Sequence, residues 1–313
     1  MHQYLDAIGF KKIFSRESEI DLMLDNLFHS HDSREAAREE SPGCAFLEIS
    51  KGFGPGIGIR LCGQMDPGGF HRTYYFPYME KRQVSLTDYV SIEKRNSGNG
   101  YTGMVDNDSL PMSILFYLQN AAFIRKRSVR EKLSHTKVSI ILTGLADEGK
   151  ILLGHLRQDG SAADRRREEE SERRKLIAAA RKGSPDAIES LTMEDMDIFS
   201  MLSRRVPNED LYSIVESSFM PCGMECDLYR VLGTILFYAK VRNSLTRQYL
   251  YQLTVDCNGI PIDVCINEQD LLGEPQVGRR FKGTIWLQGK LELHDEDTAQ
   301  QENEKTAAQE HES

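Results

Sequence analysis

The sequence lacks the marks of an exported or membrane-spanning chain. Its start, Met1-His2-Gln3-Tyr4-Leu5-Asp6, has no basic stretch followed by an apolar one, so no secretory signal is expected. The longest apolar stretch, Ile114 to Ile124, is interrupted by Gln119 and Asn120. It falls short of the roughly 18 to 20 residues a membrane helix needs. Cysteine is scarce, at 6 in 313 residues. Disulfide scaffolds are short and Cys-dense, so free thiols in a reducing cytoplasm are expected instead. Neither a Gly-x-Ser-x-Gly elbow nor a His-Glu-x-x-His helix occurs, and no catalytic, cofactor-binding or metal-ligating residue is assigned.

What is present is ordinary for a folded protein. Hydrophobic residues make up 40% of the chain and charged ones 28%, which places it away from disordered compositions. Its 313 residues exceed the size at which a single core stops growing, about 250 to 300 residues, and this predicts two cores. The net charge is −9, but residues 294–313 alone contribute −6 of it. The remainder is close to neutral and sets up no global field for nucleic acid or an anionic membrane.

Local patterning predicts an α+β protein. Residues 2–30 read as helix, with Ser15 and Ser18 as caps and Ile20, Leu24 and Leu27 in an apolar stripe, and His31–Gly43 as a loop. Strands are expected at Ala45–Ser50, Ile57–Cys62, Phe70–Pro77, Tyr89–Lys94 and Tyr101–Val105. Pro111 then opens a long helix through Ile114, Leu118 and Ala122, and Val138–Leu142 with Ile151–Leu153 form a hairpin. The region 1–155 is thus an antiparallel sheet with covering helices. A charged helical connector follows over 156–205, with a helix start at Ser184-Pro185 and a capping box at Thr192 and Asp195. Residues 206–293 carry five strand candidates, with an Asn258-Gly259 turn, and predict a small antiparallel β barrel, OB-like or a curled sheet. The stretch 294–313 reads as a disordered acidic tail.

Several motifs invite a functional reading. Gly144-Leu-Ala-Asp-Glu-Gly149-Lys150 has the Gly and Lys spacing of a phosphate loop, yet Ile151 stands where a Ser or Thr would meet Mg²⁺ and Asp147 and Glu148 oppose phosphate charge. A hairpin turn accounts for it better. Gly52 to Gly58 lies between two strands, with no helix to hold a pyrophosphate. Cys222, Cys226, Cys257 and Cys265 lack the paired spacing of zinc knuckles, and His29-Ser30-His31 has no third ligand nearby. Carboxylate pairs such as Glu225 with Asp227, or Asp263 with Asp270, are expected by chance in a chain with 48 acids. The most distinctive cluster is Gly278-Arg279-Arg280-Phe281-Lys282-Gly283 followed by Trp286. Basic residues with an interleaved aromatic suit a surface on which bases stack, and equally a closing barrel strand with Phe281, Ile285 and Leu287 inward. Arg279, Arg280, Lys282 and Trp286 are therefore the candidate ligand-binding residues.

Longer stretches carry a resemblance. These are Ala187 to Met196, Ser213 to Pro221, Glu225-Cys226-Asp227, Asp263 to Asn267, and Asp270-Leu-Leu-Gly-Glu-Pro275 through Trp286, together with Tyr4-Leu5, Ala7 to Phe10 and Tyr75 to Tyr78. The chain resembles an uncharacterised family of Clostridia-type anaerobic bacteria, domain of unknown function 3881, over nearly all of its length except the tail. The resemblance implies an intracellular bacterial protein and brings no activity, cofactor or catalytic residue with it. The leading expectation is a non-catalytic cytoplasmic protein that binds a protein partner. Single-stranded nucleic-acid binding through the C-terminal module is the alternative, and an enzyme with a site between the modules is a third reading. No membrane partner is expected.

Overall fold

Runs rich in β-branched and aromatic residues, cut by Gly, Pro, Asn and Asp, dominate the chain, and they form strands. In the computed structural model 53% of the described residues are in strands. The structure describes residues 2–38, 43–96, 98–106, 112–126, 129, 133, 136–153, 172, 175–193, 196, 217–223 and 227–293. The connector is described only in part, as helical residues 175–181 and 185–193, and the tail lies outside the described residues.

The first sheet is antiparallel and four-stranded, in the order β1 (Ser33–Arg38), β2 (Ala45–Gly54), β3 (Ile57–Asp66) and β4 (Gly69–Met79). Strand β1 occupies the segment expected as a loop, because pairing with β2 satisfies its backbone groups despite a polar composition. The expected N-terminal helix is divided. A 3-10 helix spans Gln3–Ile8 and stops at Gly9, whose φ of 92° ends the helix, and α1 (Glu17–His29) follows. Helix α1 buries Ile20, Leu24 and Leu27, and its Phe28 ring stacks on Phe70 of β4 at 4.8 Å.

The second sheet is mixed and has eleven strands. Its short members are β5 (Leu86–Asp88), β6 (Ser91–Lys94), β7 (Tyr101–Val105) and β8 (Ile114–Leu118). The long helix expected from Pro111 is replaced by β8 and a five-residue helix, α2 (Ala121–Arg125). An apolar run buried on both faces fits strand and helix alike, and here parallel pairing with the last strand decided it. The central strand is β9 (Val138–Leu152), one continuous fifteen-residue strand where a hairpin was expected. Then come β10 (Ser218–Pro221), β11 (Leu228–Arg242), β12 (Tyr249–Cys257), β13 (Ile260–Asn267), β14 (Leu271–Leu272) and β15 (Arg280–Leu293). Asn258 and Gly259 both have positive φ, 56° and 76°, as a two-residue hairpin turn of this twist requires. Thr192 is not a cap, since its hydroxyl donates back to the Ile188 carbonyl at 2.7 Å from within the helix.

Strand β9 links the halves of the chain. It runs antiparallel to β15 along its length and parallel to β13 over Thr143–Ala146, while β11 pairs with both β12 and β15. Pairings therefore run from β11 through β12, β13, β9 and β15 back to β11, with one strand of the five drawn from the N-terminal half. The glycines that mimicked a phosphate loop serve this pairing. A Cβ on Gly149 would lie 2.5 Å from the Phe281 ring and 2.8 Å from Ile266, and one on Gly144 would lie 2.8 Å from Ile285. Large core side chains of β15 thus cross over β9 where β9 has none. Gly149→Val is expected to lower stability by about 1–3 kcal/mol through overpacking. An unchanged midpoint in chemical denaturation would show that Phe281 and Ile266 have room to move.

Candidate functional site

The four expected ligand-binding residues do not share one surface. Arg279 is half-buried and spends a guanidinium N–H on the Glu274 carbonyl at 2.9 Å, tying down its own loop. Arg280 is buried, and its Nε donates to the Leu153 carbonyl at 3.2 Å. Trp286 is 4% exposed and its indole N–H donates to Asp227 Oδ2 at 2.9 Å. Tyr4 stacks on the indole at 5.4 Å, with His2 and Tyr117 each at 4.8 Å. Trp286 therefore offers no free face on which a base could stack, and its role is in the core. Only Lys282 looks onto open space.

That space is a cleft of about 700 Å³ against β9, β15, β11 and β10, with β14 at its rim. Register builds it. Lys282 of β15 stands directly opposite Lys150 of β9 on one side and Leu232 of β11 on the other. Two residues along, Thr284 stands opposite Glu148 and Arg230. Residues directly opposite across paired strands lie on the same face, so these six side chains form one block. Strand β10 adds Ser218 and Met220, and Asp270 and Leu272 complete the lining used here.

The electrostatics of this block are uneven. Like charges directly opposite across a strand pair are destabilising, and the Lys282–Lys150 pair is such a case. Among the described residues, no carboxylate makes an ion pair with Lys150 or Arg230. Asp270 is engaged by the Lys11 ammonium, and Glu148 is the other carboxylate in the lining. Met220 and Leu272, 56% and 66% exposed, add apolar surface. The arrangement sets cations beside exposed apolar surface. The sequence offers Lys150 only within the phosphate-loop spacing and does not single out Arg230. Both occupy strand positions that alternate with core residues, which marks them as outward-facing.

The other expected groups are spoken for. Asp227 is fully buried and accepts from Arg95 at 2.5 Å as well as from Trp286. Glu225 and Cys226 lie outside the described residues. Asp263 accepts from the Thr254 hydroxyl at 2.6 Å while Asp270 pairs with Lys11, and burial raises the Asp263 carboxyl above the ordinary range. Burial pushes the Cys257 and Cys265 thiols up to about 12, and Cys265 Sγ donates to the Ala7 carbonyl at 3.3 Å. His31 Nδ1 contacts the Phe28 carbonyl at 2.9 Å.

The pocket around Trp286 makes two predictions. Asp227→Ala leaves Arg95 and the indole N–H without their acceptor, and is expected to cost about 1–3 kcal/mol in a denaturant titration. Burial lowers the His2 imidazole from 6.5 to about 4. The folded state then resists a proton that the unfolded chain takes up. The contribution of His2 is fully present above pH 6.5 and is lost as pH falls toward about 4. His2→Gln should flatten the fall of stability across that window, and an identical pH profile in the variant would refute the assignment.

No curated protein and no solved structure matches the chain. The profile described as "Domain of unknown function, E. rectale Gene description (DUF3881)" matches residues 5–289, from the 3-10 helix to the middle of β15. The matched span includes every lining residue of the cleft, and the chain belongs to the DUF3881 family.

Proposed function

We propose that this is a non-catalytic binding protein of the bacterial cytoplasm, and that its cleft over β9, β15 and β11 takes an acidic segment of a partner protein. The ring of pairings through β11, β12, β13, β9 and β15 is read here as a small closed barrel that presents this cleft on its outer wall. The observation that carries the reading is the block of Lys150, Lys282 and Arg230 facing one open space together with exposed Met220 and Leu272. Cations set about one strand spacing apart match carboxylates along an extended peptide, and the apolar pair matches a hydrophobic side chain between them. Among the described residues β10 is the short strand that ends the sheet, and backbone pairing with the segment is proposed there.

The test uses a fluorescent peptide of alternating glutamate and leucine. Binding to the full chain at low salt, weakening as salt rises, is expected. The double variant Lys150→Glu with Lys282→Glu should lower affinity by at least about tenfold, since two attractive contacts become repulsive. Equal binding by the variant, or no binding at about 20 mM salt, would overturn the proposal.

A further inference from the structure

The outer halves of β11 and β12 present a second cationic surface, and this one is aromatic. Arg242 stands opposite Tyr249 and Lys240 opposite Tyr251, so the four side chains form a two-by-two block on one face of the hairpin. The Arg242 guanidinium lies 5.3 Å from the Tyr249 ring centre. Lys240 Nζ lies 4.7 Å from Tyr249 and 5.6 Å from Tyr251. Tyr238 continues the same face one pair further along and is 39% exposed, while Tyr249 is 44% exposed. Glu268 is the carboxylate recorded against this block, paired with Lys240.

The surface is held still by its own turn. Asn243 is fully buried, accepts from the amides of Leu245 and Thr246 at 2.9 and 3.0 Å, and donates to the Ile8 carbonyl at 2.8 Å. The Ser244 amide donates to the Phe53 carbonyl at 2.6 Å, which docks the tip onto the β2–β3 turn. Arg247 sits at φ 66°, a conformation uncommon for a residue with a side chain. Its carbonyl accepts from Arg242 Nε at 3.0 Å and fixes that guanidinium beside the Tyr249 ring. Lys240 and Arg242 therefore flank the exposed Tyr249 and the half-buried Tyr251 on a rigid platform, with the exposed Arg247 in the adjoining turn.

We propose that this hairpin face binds single-stranded nucleic acid, with bases stacked on Tyr249 and Tyr251 and phosphates met by Lys240, Arg242 and Arg247. Cations beside partly exposed rings complement a flexible polyanion with unstacked bases. A duplex presents no free base faces to such a block, and an acidic peptide has no use for the rings.

The experiment measures fluorescence anisotropy of a labelled oligothymidine, and of an oligouridine of equal length, against the full chain. Binding at low salt is expected for one or both. Tyr249→Ala and Tyr251→Ala should each weaken it about tenfold, with Tyr249→Phe close to wild type because the ring remains. Lys240→Gln and Arg242→Gln should each reduce the slope of log affinity against log salt by about 0.7. Lys282→Glu, in the separate cleft, should leave affinity unchanged. The proposal is overturned by absence of binding at about 50 mM salt. It is equally overturned by binding that survives both alanine substitutions, or by binding that follows Lys282. Should either alanine variant prove unfolded by circular dichroism, the surface change Arg242→Gln decides through its salt slope.

Discussion

The guanidinium of Arg60 sits buried at the junction of the two sheets, and the architecture around it exists to satisfy that charge. Its Nη1 donates to Glu48 Oε1 at 3.0 Å and to the Gln119 carbonyl at 2.6 Å, its Nη2 donates to Glu80 at 3.1 Å, and the Tyr78 ring lies 4.7 Å away. Burial pushes the Glu48 carboxyl above its ordinary range against the pull of Arg60, while the Ala122 amide steadies its other oxygen. Burial also opposes ionisation of Glu80, but Arg60 and Lys290 together outweigh it and hold that carboxyl low. Removing one partner of such a set leaves an uncompensated buried charge, at a cost of about 3–5 kcal/mol. The network therefore specifies one docking of β2, β3 and β4 against β8 and β15, more than it adds net stability.

A second polar set continues the junction without charge. The Gln119 amide donates to Gln288, Thr143 and the Met79 carbonyl, and Gln288 donates to the Pro77 carbonyl at 2.8 Å. Asn120 exchanges two hydrogen bonds with the backbone of Leu291. Gln119 and Asn120 interrupted the longest apolar run of the chain, and here they are the residues that lock β8, β9 and β15 in register. With β15 fixed in this way, Lys282 must stand opposite Lys150, and the cleft follows. The buried Asp227 holds the same strand two residues earlier through Trp286 and draws in Arg95 from the turn between β6 and β7.

Much was legible locally. The strands from Ala45, Ile57, Gly69 and Tyr101, the Asn258-Gly259 turn, the break at Pro55-Gly56 and the inward run of Phe281, Ile285 and Leu287 all follow from period and turn chemistry within a few residues. The errors share one cause. The segment Ser33–Arg38 has no strand pattern of its own, Ile114–Leu118 is compatible with two periods, and Gly144 to Lys150 looks like a turn until a partner strand lies over its glycines. The first was decided by its pairing with β2, the next strand in the chain, and the other two by β15, more than a hundred positions away.

The sequence by itself determined which side chains alternate, where the chain must turn, and which family it belongs to, because those properties reside in neighbouring residues. It also singled out Lys282. Only the tertiary structure decided that Trp286 is core and not surface, and that Lys150 and Arg230 join Lys282. It alone brought Tyr249 and Tyr251 together with Lys240 and Arg242. The physical reason is register: a strand's own period says which way a side chain points, while its companions are set by the neighbouring strand, and here that neighbour comes from the other half of the chain.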